Sequence, residues 1–139
     1  MNKIYLTIII FFLTSTLFVK ANTSHSKNLE FFSIVKQQQD LAKKVSKYYL
    51  AFQADTKDFK KKEKMKNCLY NFNKNHLKLI KYRNNTKLIQ EKLTKVDKIW
   101  KIAYKLSETK KHSVMLITAM NDISGKMKEL HKLYNKASN

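Results

Sequence analysis

The sequence predicts an all-α protein, an up-down-up-down antiparallel four-helix bundle that follows an N-terminal signal helix. The 139 residues contain no proline and a single glycine, the two residues that most often break helices and form tight turns. Apolar residues recur at helical spacing in four segments after the amino terminus. The breaks between these segments are short and polar, so we expect consecutive helices to run antiparallel.

Residues 1–21 have the pattern of a secretory signal peptide. A basic start precedes sixteen largely apolar residues, and Val19 and Ala21 occupy the −3 and −1 positions of a cleavage site before Asn22. The apolar stretch is shorter than the roughly 20 residues that a membrane-spanning helix needs. We therefore predict a periplasmic or secreted protein with one domain over residues 22–139. If the segment stayed uncleaved, it would anchor the domain in the membrane.

The first and second helices are predicted over residues 29–52 and 57–82. Apolar residues spaced by three and four fall on one face of each helix. These faces contain Ile34, Gln38, Leu41, Val45, Tyr48 and Phe52 in the first helix, and Phe59, Met65, Leu69, Phe72, His76 and Leu79 in the second. We expect Asp55 or Thr56 to cap the second helix. Because Gln38 lies in an apolar face, its amide needs a partner or must reach water at the edge of that face.

The third and fourth helices are predicted over residues 87–106 and 110–136. Their apolar faces contain Ile89, Leu93, Val96, Trp100 and Ala103, and then Leu116, Met120, Ile123, Met127, Leu130 and Tyr134. We expect Asn85 or Thr86 to cap the third helix. Gly125 lies in the middle of the fourth, where glycine costs about 1 kcal/mol relative to alanine. We interpret this glycine as a sign of close contact between two helices.

The chain lacks the residue patterns of an enzyme or a cofactor site. Its four histidines form no close pair, its carboxylates are sparse, and it has no glycine-rich phosphate loop. We interpret His76 as a hydrogen-bonded core residue. Cys68, the only cysteine, is interpreted as a buried small side chain or as the site of an intermolecular disulfide. We expect a non-enzymatic protein without metal or cofactor.

The net charge of +19 is carried almost entirely by lysine, because Arg83 is the only arginine. Proteins that read phosphates and bases specifically tend to use the planar fork of arginine. We therefore interpret most of the charge as a solvated helix surface. It predicts non-specific affinity for polyanions and no specific nucleic-acid partner.

Residues 37–50, with the sequence QQQDLAKKVSKYYL, resemble the first helix of the PilJ/NarX-type periplasmic sensor domain. This family occurs at the N terminus of type IV pili methyl-accepting chemotaxis transducers and of nitrate/nitrite sensors. Residues 93–100 are similar to its third helix, including a tryptophan at Trp100, and residues 120–134 to its last helix. The resemblance spans about residues 34–137 and implies a four-helix bundle that binds a ligand.

The resemblance implies ligand binding at Gln38, Gln39 and Lys44. In the nitrate sensors the first arginine of this helix contacts the anion across a dimer interface, and Gln39 stands in its place here. Lys44 matches the second arginine, and Asp40 replaces a methionine. Without the bidentate fork, anion contact would depend on Lys44. The implied partners are a small anion or another small molecule, a second copy through helix one, or the outer domain of a membrane receptor.

Two functions are expected from these observations. The first is an exported, non-enzymatic, sensor-like module that binds a ligand or partner and lacks its own signalling output, since no signalling segment follows Asn139. The alternative is a basic helical protein that binds polyanions or envelope surfaces and has no small-molecule site. A polar notch around Gln38, Gln39 and Lys44 favours the first function, and lysines gathered on one face favour the second.

Overall fold

The structure, a computed structural model, describes residues 29–138 and contains four helices and no strands in that range. Helix α1 covers residues 29–54, α2 Phe59–Ile80, α3 Lys87–Ser107 and α4 Ser113–Ser138. The predicted signal peptide lies outside the described residues. Within the described range, no helix combines the length and the hydropathy needed to cross a membrane.

Capping side chains explain where α2 and α3 begin. Asp58 caps α2 and Thr86 caps α3, each accepting a hydrogen bond from the backbone N–H three residues later, at 3.2 and 3.3 Å. The prediction of Thr86 is confirmed. The prediction that Asp55 or Thr56 caps α2 is wrong, because the helix begins two residues later than expected. Asp55 instead accepts a hydrogen bond from the backbone N–H of Lys57 in the preceding turn.

The four helices pack around one apolar core, and the predicted inner faces of α3 and α4 are confirmed. In α2 the exception is Phe59, which is 75 % exposed because it lies six residues, or about 240° of helical rotation, before Met65. In α1 Tyr49 is buried, whereas Tyr48 and Phe52 are half-buried. Tyr48 stands at the edge of the buried arc, and Phe52 lies close to the end of α1.

Contacts of α1 with distant parts of the chain position its two ends. The aromatic ring of Phe32 packs against the imidazole of His131 in α4, with 3.9 Å between ring centroids. The hydroxyl of Tyr49 donates a hydrogen bond of 2.6 Å to the backbone carbonyl of Thr109, in the segment between α3 and α4. The start of α1 therefore lies beside the last turns of α4, and its end lies beside the residues that precede α4.

Helix α3 packs more extensively against α4 than against α2. The interpretation of Gly125 as a close helix contact is wrong, because it is exposed and no heavy atom of a neighbouring group lies within 4 Å of where its Cβ would stand. The sparse packing lies instead between α2 and α3, and it leaves a groove along the surface of the domain.

Candidate binding groove between α2 and α3

The groove has a volume of about 1160 Å³ and is bordered by α2, α3, the end of α1 and the loop before α4. Met65, Leu69 and Trp100 are buried apolar residues that form its floor. Exposed apolar side chains border it above this floor: Tyr70, Leu77 and Tyr104. The groove therefore presents an apolar, aromatic surface to solvent, which is characteristic of ligand and partner sites.

The position of Trp100 at the floor is held by contacts on two sides. Its indole ring stacks on Phe72 of α2, with 4.2 Å between ring centroids. Its Nε1–H donates a hydrogen bond of 3.1 Å to the side-chain oxygen of Asn73, another groove residue. Because the indole is almost fully buried and its only polar atom has a partner, Trp100 fixes the base of the groove, and the exposed rings of Tyr70 and Tyr104 supply its aromatic surface.

The border of the groove is strongly cationic. Five lysines and two carboxylates line it: Lys62, Lys66, Lys101, Lys105 and Lys110, with Asp97 and Glu108. Asp97 is already paired with Lys101, at 2.7 Å between Oδ2 and Nζ. No carboxylate in the described part of the chain forms an ion pair with Lys66, Lys105 or Lys110. Lys62, whose Nζ lies 5.5 Å from the ring centroid of Phe52, also has no carboxylate partner among the described residues, so four of the five lysines can meet an anionic ligand.

Behind Asp97 lies the buried imidazole of His76. Its Nε2 is 3.7 Å from Oδ1 of Asp97, and neither ring nitrogen forms a hydrogen bond with the described residues. Burial lowers the pKa of His76 to about 4, although the charge of Asp97 opposes this shift and that of Lys101 adds to it. The imidazole is therefore neutral at pH 7 and its approach to Asp97 is not a salt bridge. The interpretation of His76 as a hydrogen-bonded core residue is wrong, although its burial is confirmed.

Gln38 is fully buried, so the alternative in which its amide reaches water is wrong. Its Nε2 donates a hydrogen bond of 3.1 Å to the backbone carbonyl of Phe72 in α2. Its Oε1 accepts no hydrogen bond from the described residues. Gln38 thus joins α1 to α2 through one hydrogen bond of its amide nitrogen.

The three site residues named from the resemblance do not converge within this chain. Gln38 is buried, Gln39 is half-buried and Lys44 is exposed. Lys44 follows Gln38 by six residues, which turns it about 240° around the helix axis. None of the three lines the groove. Binding of a small anion by these residues remains a prediction.

Metal and thiol chemistry have little support in residues 29–138. No three side chains of His, Cys, Asp or Glu gather there as a metal site would require. Cys68 is a buried free thiol, and burial raises its pKa while the charge of Lys44 opposes the shift. Since the thiolate is the reactive form, burial makes this cysteine less reactive than an exposed one.

Sequence reasoning missed the groove, although a signal for it exists in the chain. Tyr70 and Tyr104 lie outside the predicted core faces, and each stands on a helix that also carries lysines four residues apart. Large aromatic side chains on the polar face of a basic helix indicate a surface that is covered by something else. The missing information was that the two polar faces lie on either side of one groove.

Comparisons with known proteins do not identify a family for this chain. No family model matches it, and no curated protein sequence or solved structure matches it significantly. The resemblance to PilJ/NarX-type sensor domains therefore depends on the segments quoted above, and the case for a binding site depends on the groove.

Proposed function

We propose that this chain is a non-enzymatic, exported binding module whose ligand or partner occupies the groove between α2 and α3. The observation that carries this proposal is the apolar, aromatic surface bordered by five lysines. Burial of apolar area supplies free energy at about 25 cal/mol per Å², and a few charged groups around it give orientation and specificity. The groove therefore favours a ligand with an apolar body and anionic groups.

The groove is well suited to binding because its floor is part of the folded core. Met65, Leu69 and Trp100 are buried against other core residues and do not need to be ordered when a ligand arrives. Ordering side chains on binding costs about 0.5–1.5 kcal/mol for each flexible one. A fixed floor avoids part of this cost, whereas the exposed side chains of Tyr70, Leu77 and Tyr104 are ordered when the ligand binds.

The proposal includes an up-down-up-down antiparallel bundle, the architecture that the resemblance to sensor domains implies. Two contacts support it: the ring contact of Phe32 with His131 and the hydrogen bond from Tyr49 to Thr109. They join the start of α1 to the last turns of α4, and the end of α1 to the residues before α4. In such a bundle the two chain ends lie at the same end of the domain.

Export is the second part of the proposal, and it rests on the sequence of residues 1–21. Intact mass spectrometry of the protein from its native source is expected to show a chain that begins at Asn22. A full-length mass found only in the membrane fraction would instead establish that the segment is retained as an anchor.

Groove binding can be tested with an aromatic sulfonate dye, 8-anilinonaphthalene-1-sulfonate, which becomes fluorescent at apolar surfaces. The purified protein is expected to bind the dye saturably, and dodecanoate is expected to displace it. Leu77→Glu, which puts a carboxylate into the groove, should weaken dye binding at least about tenfold, equivalent to 1.4 kcal/mol. Circular dichroism confirms that the variant keeps its helices.

Leu88→Glu is the matched control, because Leu88 is 50 % exposed, Leu77 is 45 % exposed, and only Leu77 lines the groove. The control variant should bind the dye like the parent. If both variants bind dye equally and added salt abolishes the binding, the groove is not a site. Such binding would come from the net positive charge of the whole surface, because salt screens attraction of that kind. It would support the alternative in which the protein binds polyanions.

Small-anion binding at Gln38, Gln39 and Lys44 is a separate proposal, which rests on the resemblance of residues 37–50 to the first helix of the sensor domains. A thermal-shift screen with nitrate and other small anions at two salt concentrations tests it, because binding to the folded state raises the melting temperature. Lys44→Ala should reduce the shift without changing stability, and Lys60→Ala should change neither. If the thermal shift caused by the anion decreased equally in both variants, the proposal would be contradicted.

A further inference from the structure

We infer that the natural occupant of the groove is an acidic amphipathic α-helix of a partner protein. This inference rests on the proposed function and adds the chemistry of the partner to it. Helix-in-groove recognition joins the apolar face of one helix to an apolar groove on another protein, and polar residues on both sides of that face set the specificity. Three features of the groove indicate this mode: its length, its apolar floor and its two rows of lysines.

The groove is longer and larger than a site for a small ligand requires. Along α2 its lining extends from Lys62 to Ile80, which corresponds to about 27 Å at 1.5 Å per residue. Its volume of about 1160 Å³ exceeds the 300–1,000 Å³ typical of pockets for drug-sized ligands. A helix of about 18 residues has the matching length.

The exposed apolar side chains of the groove, Tyr70 and Leu77 on α2 and Tyr104 on α3, stand above a buried floor whose residues follow helical spacing. Met65 and Leu69 are one helical turn apart on α2, and Trp100 faces the same groove from α3. Leu77 continues the apolar lining toward the end of α2. A partner helix with apolar residues at positions i, i+3, i+4 and i+7 would place them along this line.

Lysines stand on both sides of the floor, again one turn apart. Lys62 and Lys66 border the groove on α2, and Lys101 and Lys105 border it on α3, where Lys101 is also paired with Asp97. An amphipathic helix with Glu or Asp on both sides of its apolar face presents carboxylates at the same spacing. A ligand with a single carboxylate would meet one row only, so two rows favour a helix with acidic residues on both flanks over a fatty acid.

Charge also argues against occupants from this chain. Residues 1–28 contain three lysines and no Asp or Glu, so they offer no carboxylate to the lysine rows. A second copy carries a net charge of +19 and would be repelled. Single-stranded nucleic acid is another polyanion that could meet these lysines, because Tyr70 and Tyr104 offer exposed rings for stacking, and the oligonucleotide comparison described below distinguishes it from an acidic helix. An acidic segment of a different protein is the occupant that complements the groove.

The test uses the purified protein and an 18-residue synthetic peptide that has leucines on one helical face, glutamates on both flanks and no aromatic residue. Trp100 is the only tryptophan in the chain and lies in the groove, so its fluorescence reports binding there. The acidic peptide is expected to change this fluorescence and to displace the sulfonate dye. A peptide with lysines in place of the glutamates, and a peptide of the same composition without helical periodicity, should do neither.

Charge reversal in the protein provides the second comparison. Lys66→Glu and Lys105→Glu, on opposite sides of the groove, should each lower the affinity for the acidic peptide at least about tenfold. Lys74→Glu and Lys95→Glu are the matched controls, because both lysines are exposed on the same two helices and do not line the groove. The controls should retain nearly full binding of the peptide.

Each contrary result has a distinct meaning. If dye and dodecanoate bind in the groove but the acidic peptide displaces neither, the inference is wrong and the proposed function stands. If neither dye nor peptide responds to groove substitutions, both are wrong. If single-stranded oligodeoxythymidylate binds more tightly than the peptide and loses affinity equally with Lys66→Glu and Lys74→Glu, the lysines form a polyanion-binding surface and the inference is overturned.

Discussion

The hydroxyl group of Tyr134, near the end of α4, donates a hydrogen bond to the side-chain oxygen of Asn85 in the loop between α2 and α3. The amide nitrogen of Asn85 donates in turn to the backbone carbonyl of Leu79 at 2.7 Å and to Oε1 of Gln90 at 3.2 Å. One asparagine side chain therefore links the end of α2, the start of α3 and the end of α4. The sequence predicted that Asn85 or Thr86 caps α3, and Thr86 is the residue that caps it.

We expect Tyr134→Phe to lower the free energy of unfolding by about 1 kcal/mol, because it removes one hydrogen bond and leaves the oxygen of Asn85 without that donor. Urea denaturation measures the change. Tyr70→Phe is the control: Tyr70 is 66 % exposed, so the change should stay within about 0.5 kcal/mol. If both substitutions changed the free energy of unfolding equally, the hydrogen bond between Tyr134 and Asn85 would not contribute measurably to stability.

Acidification is expected to destabilise the fold through His76. Its pKa is about 4 in the folded protein and 6.5 ordinarily, so below pH 6.5 the unfolded chain takes up a proton that the folded chain does not. The free energy of unfolding should therefore fall as the pH decreases from 6.5 to 4, by up to about 3 kcal/mol, and this contribution is fully present above pH 6.5.

Chemical denaturation at a series of pH values measures this dependence. His76→Gln should flatten the slope between pH 6.5 and 4, whatever the absolute stability of the variant. His112→Gln, at an exposed position, is the matched control. An unchanged slope in His76→Gln would mean that folding does not shift the pKa of this imidazole.

Trp100→Ala should cost about 3–5 kcal/mol, as removal of large aromatic side chains from cores does. The indole is buried, stacks on Phe72 and donates a hydrogen bond to Asn73, so all of these contacts are lost together. Thermal melting gives the effect, and Trp100→Phe provides a variant that keeps most of the apolar contact. A melting temperature of Trp100→Ala within a degree or two of the parent would contradict the core assignment.

Gly125→Ala should raise the free energy of unfolding by up to about 1 kcal/mol, since alanine favours the helix and the new methyl group meets no neighbour within 4 Å. Urea denaturation of the parent and the variant tests this directly. A loss of stability would mean that another group does approach this glycine.

The core faces were largely predictable because burial in a helix follows from spacing along the chain. Leu93, Val96 and Trp100 of α3 were assigned from that spacing, and all are buried. The prediction was wrong where the spacing allowed either of two neighbouring residues to be buried. In α1 it assigned Tyr48 to the core, whereas Tyr49 is the buried residue. The partner of Gln38 was not predictable, because the carbonyl of Phe72 lies 34 residues away in the chain.

By itself the sequence determined the number of helices, their approximate limits and the apolar face of each, because these depend on local propensity and on periods of three and four residues. Only the tertiary structure decided that α3 packs more closely on α4 than on α2, since this depends on how side chains from separate segments fit together. That difference opens the groove and brings Lys66 of α2 and Lys105 of α3 to the border of one site. The charge could be counted from the chain, but its arrangement around an apolar floor is a property of the packed helices.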